Sequence, residues 1–202
     1  MFLTRMALDV NRPETAEILA NPEEIRRVVA SAFEYGGKRV LWRLDELSHR
    51  TWLVMLSTLR PDLWTAHQKY GYLGAFPSWE TIDYDHELDD AYKDSIWRFE
   101  LCASPTGAID AVREEWQDVE YLNDWLNRQA DVCGFIVRRV ESVNSEWISV
   151  GDKKMLLARW RGELRVKDED MFLWVIGTGV GHGRDYGAGL MTISRVGNVW
   201  GI

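Results

Sequence analysis

Apolar and polar positions alternate along FLTRMALD at the start of the chain, a period of two that predicts a strand. The period then changes to that of a helix. In ANPEEIRRVVASAFEYGG, Ile25, Val28, Val29, Ala32 and Phe33 form one apolar stripe. Asn21 is placed as N-cap, Pro22 at the first helical position and Glu24 to close a capping box, with Gly36 and Gly37 as the stop. RVLWRLD and TWLVMLS read as two strands joined by a short polar turn. Residues 60–94 hold no sustained period: PDLWTAHQKYG has the length of a short helix, and DYDHELDDAYKD reads as a solvated acidic loop. WRFELCA is a further strand, closed by Ser104-Pro105.

The second half repeats the order. VEYLNDWLNRQADVCGF places Leu122, Trp125, Leu126 and Gln129 on one side of a helix that Gly134 stops. FIVRRVES and SEWISV read as strands, and KKMLLARWRGELRVK alternates with Arg159 and Arg161 on one face and Trp160 on the other. DEDMFLWVIGTG is a short helix with Asp168 as cap, and GLMTIS is a last strand. Each half thus reads β-α-β-β-α-β. The predicted fold class is α+β: two tandem ferredoxin-like domains, the order shared with RNA-recognition modules, over residues 1–108 and 109–202.

Composition narrows the classes. A 202-residue chain with 46% hydrophobic and 28% charged residues is that of a folded protein of one large or two small domains. It has no apolar run of membrane-spanning length, and MFLTRMALDV is too short and interrupted for a signal peptide. Cys102 and Cys133 stand far apart without metal-type spacing, so a reduced, cytoplasmic protein without a metal site is expected. A net charge of −8 argues against a general nucleic-acid binder but leaves room for a local basic site.

The stretch GTGVGHGRDYGAG, residues 177–189, raises the question of such a site. A nucleotide-binding loop fits poorly, because no Lys-Ser/Thr pair opens a helix and a strand follows instead. Two readings stay open. The glycines supply positive φ to a tight packed turn, or they let backbone N–H groups approach a phosphate with His182 and Arg184 beside them.

Gly179-Val-Gly-His-Gly-Arg-Asp-Tyr-Gly-Ala-Gly-Leu-Met191 resembles the C-terminal glycine loop of the CasE family, the repeat-processing endoribonucleases of type I-E CRISPR systems and subunits of the Cascade effector. MFLTRMALDVNRPETAEILANPEEI is similar in register to the opening of that family, and RVLWRLD, TWLVMLS, WRFELCASP and GELRVKD look like its strands. The resemblance implies two ferredoxin-like domains in tandem. It implies the stem-loop of a CRISPR repeat RNA and the other Cascade subunits as partners. It also implies cleavage without metal or cofactor, in which a ribose 2′-hydroxyl attacks the adjacent phosphate and leaves a cyclic phosphate.

Three departures stand out. The position matching the family's catalytic His is Arg26, and Glu23 stands where some members have Tyr. Glu100, Cys102 and Ser104 replace a basic strand and an Asn before the proline. The stretch TGAIDAVREEWQD is mainly acidic where a basic segment is expected. Arg26 stays protonated, so it neutralises phosphate but accepts no proton. The candidate catalytic residues are Arg26 and His182. The candidate RNA contacts are Arg27, Arg138, Arg139, Lys153, Lys154, Arg159, Arg161, Gly179, Gly181, Gly183 and Arg184, expected to line one basic groove in an otherwise acidic surface. His49, His67 and His86 are expected as exposed polar residues, and both cysteines as core. Two other functions compete: a structural or regulatory RNA-binding subunit that does not cut, and a ferredoxin-like protein-interaction module without RNA.

Overall fold

The computed structural model describes residues 1–34, 40–74, 78–110 and 112–195, so the expected helix stop at Gly36 and Gly37 lies outside the described residues. The elements run β1 (Phe2–Leu8), α1 (Pro13–Leu19), α2 (Pro22–Ser31), β2 (Leu41–Leu47), β3 (Arg50–Ser57), α3 (Trp64–Tyr70), β4 (Trp79–Asp83) and α4 (Asp85–Leu88). They continue as β5 (Ile96–Ala103), β6 (Ala108–Ile109), α5 (Val119–Val132), β7 (Phe135–Val150), β8 (Lys153–Val166), α6 (Glu169–Thr178) and β9 (Met191–Arg195). Among the described residues no helix is long and apolar enough to cross a membrane.

Both halves are ferredoxin-like. The first sheet has the order β2-β3-β1-β4 with every pairing antiparallel. The second has β7-β8-β5-β9, again antiparallel, with the short β6 on the β8 edge. The alternation read from the sequence explains the first core. Met6, Leu8, Trp42, Leu53 and Met55 project from the sheet onto Ile18, Ile25, Val28 and Val29 of the helices. In the second unit Trp160 of β8 stacks on Trp125 of α5, with ring centroids 5.4 Å apart and planes at 16°. Phe135 of β7 meets Phe172 of α6 edge to face at 6.0 Å.

Contacts divide the chain into two compact units, Met1–Asp85 with Asp185–Gly187, and His86–Arg184 with the chain from Ala188. This division falls upstream of the join expected at 108/109. The reason is β5: WRFELCA pairs with β8 on one edge and β9 on the other, so it opens the second sheet instead of closing the first. The fourth strand of the first sheet is WETID, hidden in the stretch without period because it is a half-exposed edge strand of five residues. FIVRRVES and SEWISV are one strand, β7, broken in register at Val137/Arg139 and Val140/Ser142. The helix α1 has Pro13 at its start, and Arg12 donates to the carbonyls of Gln68 and Lys69 at the end of α3 (2.8 and 3.0 Å), a cation at a helix C-terminus.

The β2–β3 turn is made by Ser48 (φ 52°) and His49 (φ 63°), two side-chain-bearing residues in the left-handed region. A two-residue hairpin turn of this form favours Asn-Gly. Replacing Ser48-His49 by Asn-Gly raises stability by about 1 kcal/mol, read as a higher urea midpoint with an unchanged denaturant slope. A lower midpoint would show that His49 makes contacts that outweigh its backbone strain.

Candidate RNA-binding and cleavage site

The site starts at the N-terminus of α2. Asn21 caps it, its side chain accepting the N–H of Glu23 at 3.0 Å. The expected capping box does not form, because the Glu24 carboxylate pairs with Arg27 one turn on. Glu23 does the same with Arg26: both Nε and Nη2 of Arg26 lie 3.1 Å from Glu23 Oε2. The pair stays reachable, with side-chain exposures of 49% for Arg26 and 33% for Glu23.

A third group comes from the other end of the sequence. Asp185–Gly187, at the tip of the glycine loop, belongs to the first compact unit. There the Tyr186 hydroxyl hydrogen-bonds the Glu23 carboxylate. That bond and the adjacent Arg26 hold the Glu23 carboxyl below its usual range, and the Glu23 partner pushes the Tyr186 phenol up. Tyr186 was not among the residues selected from the sequence. The available signal was a lone aromatic residue between Asp185 and Gly187 in a glycine-rich run.

The rest of the glycine loop lies with the second unit. Gly179, Gly181 and Gly183 have φ of 86°, 76° and 75°. The Gly179 N–H closes α6 on the Val175 carbonyl at 2.7 Å, so it does not offer itself to a phosphate. The Gly179 carbonyl accepts Nη2 of Arg184 at 3.0 Å. His182 is exposed and bridges in antiparallel fashion to Ser104. The turn reading of these glycines therefore holds in the fold, whatever the loop also binds.

The remaining cations are matched locally. Arg159 and Arg161 share the Glu100 carboxylate at 2.7 and 3.1 Å, on the face of β8 opposite to Trp160. Arg138 lies 3.9 Å from Glu163 and Arg139 lies 3.4 Å from Glu141. Lys153 lies 3.7 Å from Asp110, and Lys154 donates to the Ser149 hydroxyl at 2.8 Å. Arg26 and Arg27 fall in the first unit and the others in the second. His49 sits in the β2–β3 turn and His86 is exposed, but His67 is buried against Trp79 at 4.8 Å, a core residue and not a surface one. Cys102 and Cys133 are buried, and burial pushes the Cys133 thiol up.

A family model described as CRISPR associated protein matches residues 1–195. The CRISPR-associated endoribonuclease Cse3 of Thermus thermophilus is 26% identical over 223 residues, covering 96% of this chain and all of that protein. A solved structure of CRISPR endoribonuclease Cse3 bound to 19 nt RNA superposes with a TM-score of 0.75 at 24% identity, over 96% of this chain and 98% of that one. A subunit of Escherichia coli Cascade bound to a PAM-containing dsDNA target superposes with a TM-score of 0.54 at 13% identity, over 97% of this chain and 100% of that one.

At Gly181 a Cβ would lie 3.0 and 3.1 Å from two ring carbons of Trp125, which is itself stacked on Trp160. Gly181→Val therefore combines a strained φ with overpacking and lowers stability by about 1–3 kcal/mol in chemical denaturation. Gly74→Ala, with nothing within 4 Å, changes it by less than about 0.5 kcal/mol. Equal effects at the two positions would remove the steric account of the loop.

Proposed function

We propose that this chain, which belongs to the CasE family of CRISPR-associated proteins, binds the stem-loop of a CRISPR repeat RNA in the cytoplasm and stays on the mature guide as a Cascade subunit. The observation that carries the reading is the family match over residues 1–195, which takes in both ferredoxin-like domains and the whole glycine loop. Its relatives point the same way, one an endoribonuclease, one solved with RNA and one within Cascade.

The side chains supply a physical route to RNA. Arg184 spends one N–H on the Gly179 carbonyl and keeps its other donors for a phosphate. His182, exposed beside it, adds a hydrogen bond. Arg161 and Arg159 place two guanidiniums on the one Glu100 carboxylate, and Arg161 is 46% exposed. The exposed Arg161 guanidinium is thereby oriented toward a phosphate oxygen in a chain of net charge −8. Arg26 stays protonated and serves a phosphate as a cation, not as a base. Cations matched to nearby carboxylates favour one shaped, multiply charged ligand over bulk nucleic acid.

Fluorescence anisotropy with a repeat hairpin tests the reading. The hairpin binds more tightly than an unstructured RNA of equal length, and its affinity falls with salt. Arg184→Ala weakens binding and lowers the magnitude of the log–log salt slope by about one. An unchanged affinity and slope would remove the Arg184 contact. No preference for the hairpin would favour a protein-interaction module instead.

A further inference from the structure

We propose that Glu23, Arg26 and Tyr186 form a phosphodiester-cleaving centre in which a carboxylate, not an imidazole, accepts the proton of the attacking 2′-hydroxyl. The centre deepens the repeat-RNA reading and rests on it.

Its three members come together for reasons visible in the fold. Glu23 lies in the first turn of α2 and Arg26 one turn later on the same face, bonded to it at 3.1 Å. Tyr186 closes the short 3-10 turn Arg184–Tyr186. The next residue, Gly187 (φ 86°), lies flat on the buried Trp42, where a Cβ would stand 2.9 Å from a ring carbon. That contact holds the phenol at the helix instead of leaving it to wave on a loop. The charged groups bearing on Glu23 are Arg26 and Arg27, and those bearing on Tyr186 are Glu23, Asp185 and Arg26.

Cleavage of RNA by its own 2′-hydroxyl needs a proton acceptor, a cation beside the phosphorus-bound oxygens and a proton donor for the departing 5′-oxygen. Glu23 is ionised at neutral pH and accepts. Arg26 is permanently charged and stabilises the crowded phosphorus. Tyr186 keeps its proton and donates. The 2′-hydroxyl proton passes to Glu23 as the O2′–P bond forms. The P–O5′ bond then breaks with its electron pair on O5′, which takes the proton of Tyr186. Glu23 returns its proton to the Tyr186 phenolate along their hydrogen bond. The products are a 2′,3′-cyclic phosphate and a 5′-hydroxyl, and all three side chains end as they began.

The experiment measures hairpin binding and single-turnover cleavage separately on the full chain. The wild-type protein is expected to cut the repeat hairpin. Glu23→Gln is expected to lower the rate about 10²–10⁴-fold, with Tyr186→Phe slower by a similar factor and Glu23→Asp recovering part of the loss. Arg26→Ala is expected to cost about 10²–10³-fold. Hairpin affinity is retained in Glu23→Gln and Tyr186→Phe, Arg26→Ala weakens it by the loss of one phosphate contact while the single-turnover rate is read at saturating protein, and Glu24→Gln, on the same helix turn, leaves the rate unchanged. The pH–rate profile runs flat through about 6.5, where an imidazole would titrate, and Arg26→His introduces an inflection there. A hairpin bound but not cut, or cut at the wild-type rate by Glu23→Gln and Tyr186→Phe, overturns the centre and leaves the RNA reading standing. Loss of cleavage in His182→Ala with full activity in Glu23→Gln also overturns it, by moving the chemistry to the glycine loop. Failure to prefer the hairpin at all overturns the RNA reading and the centre with it.

Discussion

Backbone without side chains, laid against tryptophan rings, is the constraint on which the C-terminal part of this molecule depends. Gly181 stands against Trp125 and Gly187 against Trp42, each with a positive φ, and in neither place is there room for a Cβ without displacement of a ring. Both tryptophans are core residues: Trp125 is stacked on Trp160 of β8, and Trp42 packs among the helices of the first sheet. The loop between α6 and β9 is therefore not a passive connection. Its backbone bonds, Gly179 to Val175 of α6, Val180 to Gly189 within the loop and Gly189 to Cys102 of β5, fix the path that carries Arg184 and Tyr186.

The regular parts of this architecture were legible because periodicity reports a buried face. Ile25, Val28 and Val29 of α2 and Trp160 of β8 lie where alternation and helical spacing put them. The caps Asn21 and Asp168 both accept backbone N–H groups as their side-chain chemistry suggests. What escaped was weakly periodic or long-range. The seven-residue α1 is too short for a stripe, and the edge strand Trp79–Asp83 buries too little to alternate. Strand pairing decided the place of Ile96–Ala103, and pairing is not written in a single segment. The glycine loop was recognisable at once, while Tyr186 was not. Its partner Glu23 is distant in sequence, so neither segment alone shows the phenol beside the carboxylate.

The electrostatics follow the same logic of local matching. The cations expected to contact RNA have acidic partners nearby: Arg159 and Arg161 on Glu100, Arg138 by Glu163, Arg139 by Glu141. In the sequence Glu100 is an acid on a strand that the family resemblance implies is basic. In the fold it orients two guanidiniums on one face of β8, and a carboxylate that positions arginines preorganises them for a further anion. Acidic composition and recognition of a polyanion are thus compatible, because the acids set the geometry of the bases.

The grouping of Asp185–Gly187 with residues 1–85 also bears on when the proposed centre is complete during synthesis. A ribosome delivers Glu23 and Arg26 early and Tyr186 nearly last. An amino-terminal fragment that ends before Tyr186 and a carboxy-terminal fragment that begins after Arg26 each lack part of the set. On the proposed assignment of these three groups, a nascent chain carries the helix pair long before the phenol, and the set is complete only with the closing turn of the final loop.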